Sequence, residues 1–364
     1  MTQIPFSGSY PPNDVEFLLK QITIENTPIA VKEALIQSGK KHYSQMLSHE
    51  SLPSEAYLEL FRQAMAANRR RVAADVISLA EGIVATRLHG VTLVSLARAG
   101  TPVGVLLKRV LQSYHQINAA HYSISIIRDV GIDTHALRHI LQRHAPETLV
   151  FVDGWTGKGV IGRQLAASLQ RFAETDNVTI PAELYVLADL SGTAAVAASA
   201  EDYLIPSCIL NATVSGLVSR SVYDAQIAAV GDFHGCVYYH DFAGHDLSGY
   251  FIAKILASVA EQWSHPQRDI RPAQYQEGQA AVAEKLLDDL ATRYNVGHPN
   301  YIKPGIGEAT RVFLRREARL LLLQDDAAEA TLHLRWLAES RAIPIVVCPD
   351  LPYRAVALIK EITT

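Results

Sequence analysis

The sequence has no long hydrophobic run and little cysteine, and these absences exclude several classes of protein. No apolar run approaches the ~18 residues that span a bilayer, and the start, MTQIPFSGSYPPND, lacks a basic segment followed by a hydrophobic one. We therefore expect a cytoplasmic protein without a membrane partner. Three cysteines among 364 residues are too few for a disulfide framework or a four-thiolate zinc site, so we expect reduced thiols.

The charge balance and the histidines exclude two further classes. A net charge of −4 gives no global attraction to nucleic acid, so any contact with RNA must use a local basic patch. None of the 14 histidines belongs to HExxH or to another strong metal-binding spacing, and we predict no metal ligands in the chain. With 49% apolar residues, the chain is long enough for a large core and for two domains.

From Gly90 onward, short apolar segments alternate with helical patterns, which is typical of an α/β fold with an open parallel sheet. A long helix over Ser54–Leu88 precedes this region, and residues 1 to about 50 have the breakers of an irregular N-terminal cap. The predicted strands are Val91–Leu96, Tyr122–Ile127, Thr148–Asp153 and Leu184–Ala188, and the predicted helices are Pro102–Ser113, Thr134–His144 and one that begins at Lys158. Ligands of such sheets bind beyond the carboxyl ends of the strands.

The most informative of these strand ends is TLVFVDGWTGKGVIG, Thr148–Gly162, where a buried strand leads through a glycine-rich turn into a helix. Backbone N–H groups of such a turn, together with a helix N-terminus, favour a phosphate. A nucleoside-triphosphate loop needs GxxxxGK[ST], whereas only two residues separate Gly154 from Gly157 and Gly159 follows Lys158. The G-x-x-G-x-G order also differs from the dinucleotide pattern GxGxxG.

The turn resembles the phosphoribosyl-pyrophosphate loop of type I phosphoribosyltransferases, in which an apolar strand and an acid precede Thr-Gly at a helix start. That family has two adjacent acids, whereas Gly154 follows Asp153 here and the loop is one residue shorter. The resemblance implies that Asp153 contacts ribose hydroxyls. It also implies that Thr156, Gly157, Lys158 and Gly159 hold a 5′-phosphate.

Two other strand ends complete the predicted crevice. Ala97, Arg98, Ala99 and Gly100 resemble the family's pyrophosphate loop, because small residues allow close approach and an arginine can bind phosphate oxygens through two hydrogen bonds. Arg128–Asp129 follows the next strand and either faces the same crevice or forms an exposed turn.

A different enzyme class is suggested by His234 and Cys236, since a histidine near a cysteine can activate it as a nucleophile. If both residues lie on one strand, their side chains share a face. A structural histidine beside a buried cysteine is the alternative. Separately, the segment Pro206–Arg220 is rich in small polar residues and is our candidate for a hood over a substrate.

The C-terminal region predicts a second, smaller α/β domain. Asp246–Tyr294 is mostly helical around a break at His265–Pro272, and helices then alternate with strands at Leu320–Leu323 and Ile343–Val347. The segment GIGEATR resembles the Gly-x-Asn-Glu-x-x-Lys motif of Pelota-type and ribosomal kink-turn-binding domains, with glycine in place of the asparagine. The resemblance implies RNA contact by the residues that match the motif or extend its basic helix face, Gly305, Glu308, Arg311 and Arg315.

Over its whole length the chain resembles a bacterial family found with tellurite-resistance and stress genes, through SGSYPPNDV, DGWTGKG, ILNATVSGLVSR, GDFHGC and KPGIGEATR. That family is described as phosphoribosyltransferase-like with a C-terminal Pelota-type domain, and it is also labelled a StiP-type cysteine protease. The resemblance implies a type I phosphoribosyltransferase-like domain with cap and hood over 1–250, a helical connector over 251–299 and a Pelota-type domain over 300–364.

The activity we expect is transfer of ribose 5-phosphate from phosphoribosyl pyrophosphate to a base-like acceptor, with Asp153, Arg98 and Lys158 as catalytic residues. Magnesium would be held mainly by the ligand and water. A cysteine peptidase using Cys236 and His234, and a non-catalytic nucleotide or RNA sensor, are the alternatives. A homo-oligomer is compatible with the sequence, which does not identify the acceptor base.

Overall fold

The computed structural model describes residues 6–224, 231–265 and 273–361, and it contains two sheets of unequal size. The strands are β1 (Glu16–Leu18), β2 (Lys20–Gln21), β3 (Thr92–Ala97), β4 (Ala120–Ile127), β5 (Gly131–Ile132), β6 (Leu149–Thr156), β7 (Leu184–Asp189), β8 (Val196–Ser199), β9 (Gly235–Cys236), β10 (Ile302–Pro304), β11 (Ala318–Leu323), β12 (Ile345–Val347) and β13 (Ala355–Ile359). The α-helices are α1 (Ile29–Gln37), α2 (Glu55–Thr86), α3 (Gly100–His115), α4 (Thr134–Leu141), α5 (Val160–Asp176), α6 (Ser248–Gln262), α7 (Ala273–Arg293), α8 (Ile306–Arg315) and α9 (Leu332–Glu339).

The larger sheet has the order β1-β4-β3-β6-β7-β8, and all its pairings are parallel except that of β5, which runs antiparallel to β4. Both faces are covered, as a parallel sheet requires. In β6, Val150 and Val152 pack with the core under α2, α3 and α6, whereas Leu149 and Phe151 face the core under α4 and α5. The alternation of a strand therefore explains the continuous apolar run LVFV.

The C-terminal sheet has the order β10-β13-β11-β12, in which only β11 and β12 are parallel. We call this sheet with α7, α8 and α9 the C-terminal unit, and everything before α7 the first unit. Leu286 and Leu290 of α7 pack into the core of the C-terminal unit, whereas Phe251 and Ile255 of α6 pack into the first unit. The predicted domain boundaries stay a prediction.

The predicted open parallel sheet and smaller α/β C-terminal unit are confirmed, with differences at particular elements. Residues 1 to about 50 are not simply irregular, because β1 pairs with β4 at the edge of the larger sheet. Strands β10 and β13 have no counterpart among the predictions. The predicted break at His265–Pro272 lies outside the described residues except for His265. Within the described ranges, no helix combines the length and apolar character needed to cross a bilayer.

Asp202 of the first unit connects the two units. Its Oδ1 accepts the backbone N–H of Ile306 at 2.9 Å, and its Oδ2 accepts that of Arg354 at 2.9 Å. Burial raises the pKa of this carboxyl from 3.8 to about 6, although both N–H groups oppose the shift. The junction therefore contains an acid whose charge is costly above that pH.

We expect Asp202→Asn to gain stability relative to the native protein as the pH rises from about 4 to 7. The native carboxyl has a raised pKa, so the folded state binds more protons than the unfolded state in this interval. Its contribution is complete below the unfolded pKa of 3.8 and is lost as the pH rises through about 6. Asparagine cannot titrate. Urea unfolding at several pH values measures the difference, and the exposed Asp326→Asn is the control; equal pH slopes for both variants would contradict the expectation.

Candidate functional site at the junction of the two units

The loops after β3 and β6 meet at the carboxyl edge of the larger sheet. Strand order reverses between these two neighbours, since β4 lies beyond β3 and β7 lies beyond β6. A Cβ atom at Gly100 would lie 2.2 Å from the carbonyl oxygen of Val152, so the loops touch through their backbones. Ala97, Ala99 and Gly100 are thereby brought beside Asp153, as the sequence predicts for one crevice.

The side chain of Thr156 stabilises the glycine turn. Strand β6 continues to Thr156, whose Oγ1 accepts the N–H of Gly159 at 3.0 Å and also contacts Ser191 Oγ at 3.0 Å. Gly159 has a φ of 69° and precedes the first residue of α5, Val160. The helix therefore begins two residues later than predicted, because Lys158 still belongs to the turn.

Asp153 and Lys158 are half-buried and face the C-terminal unit. Burial raises the pKa of Asp153 to about 6, with Arg311 opposing the shift and Glu308 adding to it. Lys158 Nζ donates to the carbonyl of Pro299 at 2.8 Å. Burial and then repulsion by Lys303 lower the pKa of Lys158 to about 7. The enclosed turn therefore has neither a fully charged acid nor a fully charged lysine near neutral pH.

Arg98 is not free at the end of β3. Its guanidinium forms a two-point ion pair with Glu50, and its Nη1 also donates to the carbonyl of Val218 at 2.7 Å. Burial alone would raise the pKa of Glu50, but Arg98 and then Arg315 lower it below its ordinary value. Sequence reasoning missed Glu50, because nothing in the N-terminal 50 residues indicates that one glutamate reaches this strand end.

The pair Arg128–Asp129 divides between the site and the surface. Arg128 borders the space beside Lys158, and its backbone N–H donates to the hydroxyl of Tyr43 at 2.9 Å. Asp129 adopts a φ of 69°, and its side chain is 66% exposed, with Arg128 Nε 3.0 Å away. Both predicted alternatives thus apply, one to each residue.

The residues predicted to contact RNA face the first unit. Gly305 has a φ of 87° and precedes α8, Glu308 lies 3.2 Å from Arg311, and Arg311 stacks over the ring of Trp155 at 4.3 Å. Arg315 Nε donates to Asn211 Oδ1 at 3.0 Å. The helix ends at Arg315. This basic surface therefore lies within the junction rather than on the outside of the molecule.

Trp155 explains why glycine stands at position 307. A Cβ atom there would lie 2.4 Å from Cε2 of Trp155. The indole fills the space that the asparagine of the motif would need, because Trp155 lies at the end of β6 and reaches across to α8. The exchange of asparagine for glycine is thus a packing requirement of the junction.

A cavity of about 300 Å³ lies between the glycine turn, α1 and α8. We call it the junction cavity. Its charged lining comprises the basic residues Lys32, Arg128, Lys158, Arg220, Lys303, Arg311, Arg315 and Arg316, together with the acids Asp153 and Glu308. Among the residues that the structure describes, no group of three or more metal-ligating side chains could hold a metal ion. Magnesium, assigned from the sequence to ligand oxygens, stays a prediction.

Cys236 and His234 lie in the interior, away from the junction cavity. Cys236 is fully buried, in β9 beside β2, and burial raises the pKa of its thiol far above the ordinary value. The imidazole of His234 contacts Ser125 Oγ through Nδ1 at 2.8 Å, and its backbone N–H donates to Asp133 at 2.6 Å. Burial lowers the pKa of His234. The geometry thus gives this histidine a structural partner, and among the described residues burial is what sets the pKa of the thiol.

Cys208 lies in a different setting, which the sequence did not single out. Its thiol lies near the side chain of Thr310, which acts to lower the thiol pKa, and Thr310 Oγ1 lies 2.7 Å from Nε2 of His333. Burial raises the pKa of this thiol to about 12, with Arg311 opposing the shift. The only signal available in the sequence was its place in the small-residue segment Pro206–Arg220, because Thr310 and His333 are more than a hundred residues away.

Comparison with known proteins identifies relatives of the whole chain. A family model described as the tellurite-like stress resistance cysteine protease StiP matches residues 8–256, and one described as a PELOTA RNA binding domain matches residues 281–361. A protein from Acinetobacter baylyi named cysteine protease StiP is 43% identical to the chain, over 98% of this chain and 95% of its own length.

Similarity to solved structures is weak. A crystal structure described as a hypothetical protein from Neisseria gonorrhoeae with bound ppGpp is 14% identical, covers 34% of this chain and 67% of its own, and has a TM-score of 0.22. That value is too low to establish a shared fold.

These matches correct the predicted activity. Transfer of ribose 5-phosphate from phosphoribosyl pyrophosphate to a base is the wrong function, as is the class of glycosyltransferase, because both the family model and the A. baylyi relative are cysteine proteases. The physical reason for the error is that a glycine turn after a strand favours anions whatever the reaction. The ion pair of Arg98 with Glu50 also leaves that arginine without the free charge that a pyrophosphate group would need.

We expect Gly307→Ala to destabilise the protein by about 1–3 kcal/mol, because the added methyl group would overlap the ring of Trp155. Gly249→Ala is a matched control, since Gly249 is also the second residue of its helix and has open space around its Cβ position. That control should be neutral or stabilising. Thermal unfolding measures both; a similar small effect at the two positions would contradict the role given to Trp155.

Proposed function

Because the chain belongs to the StiP family of tellurite-like stress resistance cysteine proteases, we propose that it hydrolyses peptide bonds with Cys208 as the nucleophile. The observation that supports this assignment is the position of Thr310, which lies near the Cys208 thiol and whose Oγ1 is 2.7 Å from Nε2 of His333. A nucleophilic cysteine requires a base within reach, directly or through a hydroxyl group. Within the described ranges, no hydrogen bond connects Cys236 or Cys348 to a histidine, and Cys348 instead contacts the hydroxyl of Tyr294 at 3.8 Å.

The hydrogen bonds at Thr310 define how His333 is placed. Thr310 Oγ1 donates to the carbonyl of Ile306 at 2.7 Å, so it accepts from Nε2–H of His333. The imidazole is then neutral with its lone pair on Nδ1, which is buried without a hydrogen-bond partner in the described part of the chain. Burial lowers the pKa of His333 to about 3, in agreement with a neutral ring. In this tautomer the nitrogen that faces Thr310 already has a proton, so the closed form does not allow His333 to accept the thiol proton.

The reaction would follow the balanced course of cysteine peptidases. The step requires the imidazole proton to be on Nδ1 and the Thr310 hydroxyl to turn from Ile306 to Nε2 of His333. The thiol then gives its proton to Thr310 Oγ1, which passes its own proton to Nε2, and the sulfur forms a bond to the peptide carbonyl carbon. The carbon–nitrogen bond then breaks, and the amine leaves with the proton from the imidazolium. Water cleaves the thioester, which releases the carboxylic acid and restores the thiol of Cys208.

A groove of about 290 Å³ next to Cys208 supports a peptide substrate. The cleft beside Cys208 and this groove share Leu210 and Arg315. Leu52 and Trp336 expose 39% and 38% of their surface at the groove, and Trp336 stacks on Tyr57 with ring centroids 5.8 Å apart. Apolar side chains of a peptide would bind there. Cys208 itself is buried under α8, so the described arrangement is the closed form, and cleavage requires α8 to move.

The RNA binding that the resemblance implies would require the same movement of α8. RNA binding by the C-terminal unit through Gly305, Glu308, Arg311 and Arg315 would need α8 to leave the first unit, because Trp155 and Asn211 cover that surface. The type I phosphoribosyltransferase-like fold also stays part of this proposal, without that family's activity. The strand reversal between β3 and β6 and the two touching loops support it.

Cys208→Ser should reduce peptide cleavage by about a thousandfold or more, because serine cannot replace a thiolate that has this partner set. A proteome-derived peptide library, with new ends identified by mass spectrometry, measures cleavage by the full chain. Cys348→Ser and Cys236→Ala are the controls, and both should cleave as the native protein does. Loss of cleavage in Cys236→Ala while Cys208→Ser stays active would overturn the assignment.

The alkylation rate of Cys208 should keep rising from about pH 8 to pH 10, whereas that of a free cysteine levels off above a pKa of about 8.5. The raised pKa of about 12 means that each step in pH in this interval increases the thiolate fraction. Iodoacetamide labelling with peptide mapping measures the rate at each cysteine. A plateau for Cys208 near pH 8 would show that the thiol is not buried under α8 in solution.

A further inference from the structure

The junction cavity has more positive charge than the neighbouring protein groups neutralise. Eight basic and two acidic side chains line it, although the whole chain has a net charge of −4. Such a concentration is unusual because like charges repel strongly where water is partly excluded. An interior of this kind is unfavourable for the folded protein unless negative charge enters it.

Part of the charge is balanced by carboxylates. Arg316 pairs with Glu33 through Nη2 at 2.7 Å, and Arg311 pairs with Glu308 at 3.2 Å. Lys303 Nζ reaches the same Glu308 only at 4.0 Å, so one carboxylate serves two cations.

The other part is bound only to neutral oxygen atoms. Lys158 donates to the Pro299 carbonyl at 2.8 Å, Arg220 to the Tyr43 carbonyl at 2.8 Å, and Arg315 to the side-chain oxygen of Asn211. Lys32 Nζ lies 3.5 Å from the carbonyl of Arg315. Within the described ranges, none of these four residues forms an ion pair with a carboxylate. Their donors remain able to bind an anion.

We infer that the junction cavity is a binding site for a compact anion with two phosphate groups, held by Lys158 from the first unit and by Lys303 and Arg315 from the C-terminal unit. Phosphate oxygens match both the point charges of lysine and the paired donors of arginine. The N-terminus of the 17-residue α5 borders the same space and favours negative charge. Two phosphate groups suit cations that come from two sides of the cavity.

The aromatic residues of the cavity indicate that charge, rather than stacking, provides recognition. The ring of Trp155 is covered by Arg311 at 4.3 Å. That of Tyr43 has Arg128 at 5.3 Å and Arg220 at 5.6 Å from its centroid. An RNA base would therefore have to displace an arginine to stack on these faces, and a space of about 300 Å³ suits a small anion better than a polynucleotide chain.

The ionisation of Lys158 provides a second signature of the same site. Its pKa is about 7 because of burial first and then of Lys303, Arg128 and Arg163, while Glu308 acts in the opposite direction. A bound anion would stabilise the charged amine and raise this pKa. Above pH 7, binding should therefore be accompanied by proton uptake, and this uptake should increase the dependence of affinity on pH.

Calorimetry of the full chain with inorganic pyrophosphate tests the inference without requiring turnover, so it stands or falls independently of the peptidase proposal. We expect saturable binding, with inorganic phosphate weaker by about tenfold or more because it has half of the contacts. Lys303→Met should weaken pyrophosphate by about tenfold and Lys303→Arg should restore it. Arg335→Gln, on the exposed side of α9 next to Glu339, is the matched control and should bind as the native chain does.

Proton uptake is measured by repeating the titration in buffers of different ionisation enthalpy at about pH 8, where it should be present in the native chain and absent in Lys158→Met. A thermal unfolding curve for each variant separates loss of binding from loss of fold. Absence of saturable pyrophosphate binding, equal binding by folded Lys303→Met, or binding of an RNA oligonucleotide that pyrophosphate does not displace would each overturn the inference.

Discussion

The contact of Trp155 with α8 is the interaction on which the rest of the structure depends. The indole projects from the end of β6, occupies the space above Gly307 and stacks under Arg311. Because α8 also provides Thr310, this contact covers Cys208. The same placement closes the junction cavity and directs Arg315 inward. One aromatic residue thereby determines which surfaces of the two units are accessible.

Acids compensate part of the positive charge of the junction, and two of these acids come from distant parts of the chain. Glu50 follows α1 and pairs with Arg98, Glu33 lies on α1 and pairs with Arg316, and Glu308 belongs to α8 itself. Removing one partner of a buried pair is costly, since it leaves an isolated charge. The N-terminal residues therefore matter to the site even though they contribute only a short strand to the larger sheet.

The proposed peptidase site and the proposed anion-binding site are adjacent. Arg315 borders the junction cavity, the cleft beside Cys208 and the apolar groove. An anion bound near Arg315 would strengthen the closed form, whereas a peptide in the groove needs α8 to move. The anion and the peptide would therefore favour different positions of α8. Binding of a small anion would regulate cleavage through this difference.

Much of the larger sheet could be predicted from the sequence. The run LVFV predicts a strand buried on both faces, and β6 lies in the middle of the sheet. The loops at Arg98 and Asp153 were expected to meet, and they do, because neighbouring parallel strands end at one edge. Strand β1 was missed because its three residues have no clear period among prolines. The C-terminal strand β13 was missed because no turn pattern identifies it.

The chemistry of the site was harder to predict from the sequence than the sheet was. A glycine turn indicates affinity for anions and leaves the reaction open, so the phosphoribosyl interpretation went further than the turn itself justified. His234 and Cys236 are close in sequence, yet the fold gives the histidine to Ser125 and the thiol to the core. Cys208 and His333 are connected through Thr310 only because α8 packs on the first unit.

The sequence by itself determined the local elements: the strands, the glycine turn, the helix starts and the membership of a family. Such features depend on neighbouring residues and on hydrophobic period, and both can be read from the order of the residues. Tertiary structure alone decided which cations share a cavity, which cysteine has a base within reach and why glycine stands beside Trp155. Those properties depend on burial and on distances between residues far apart in sequence, and packing of the two units sets both.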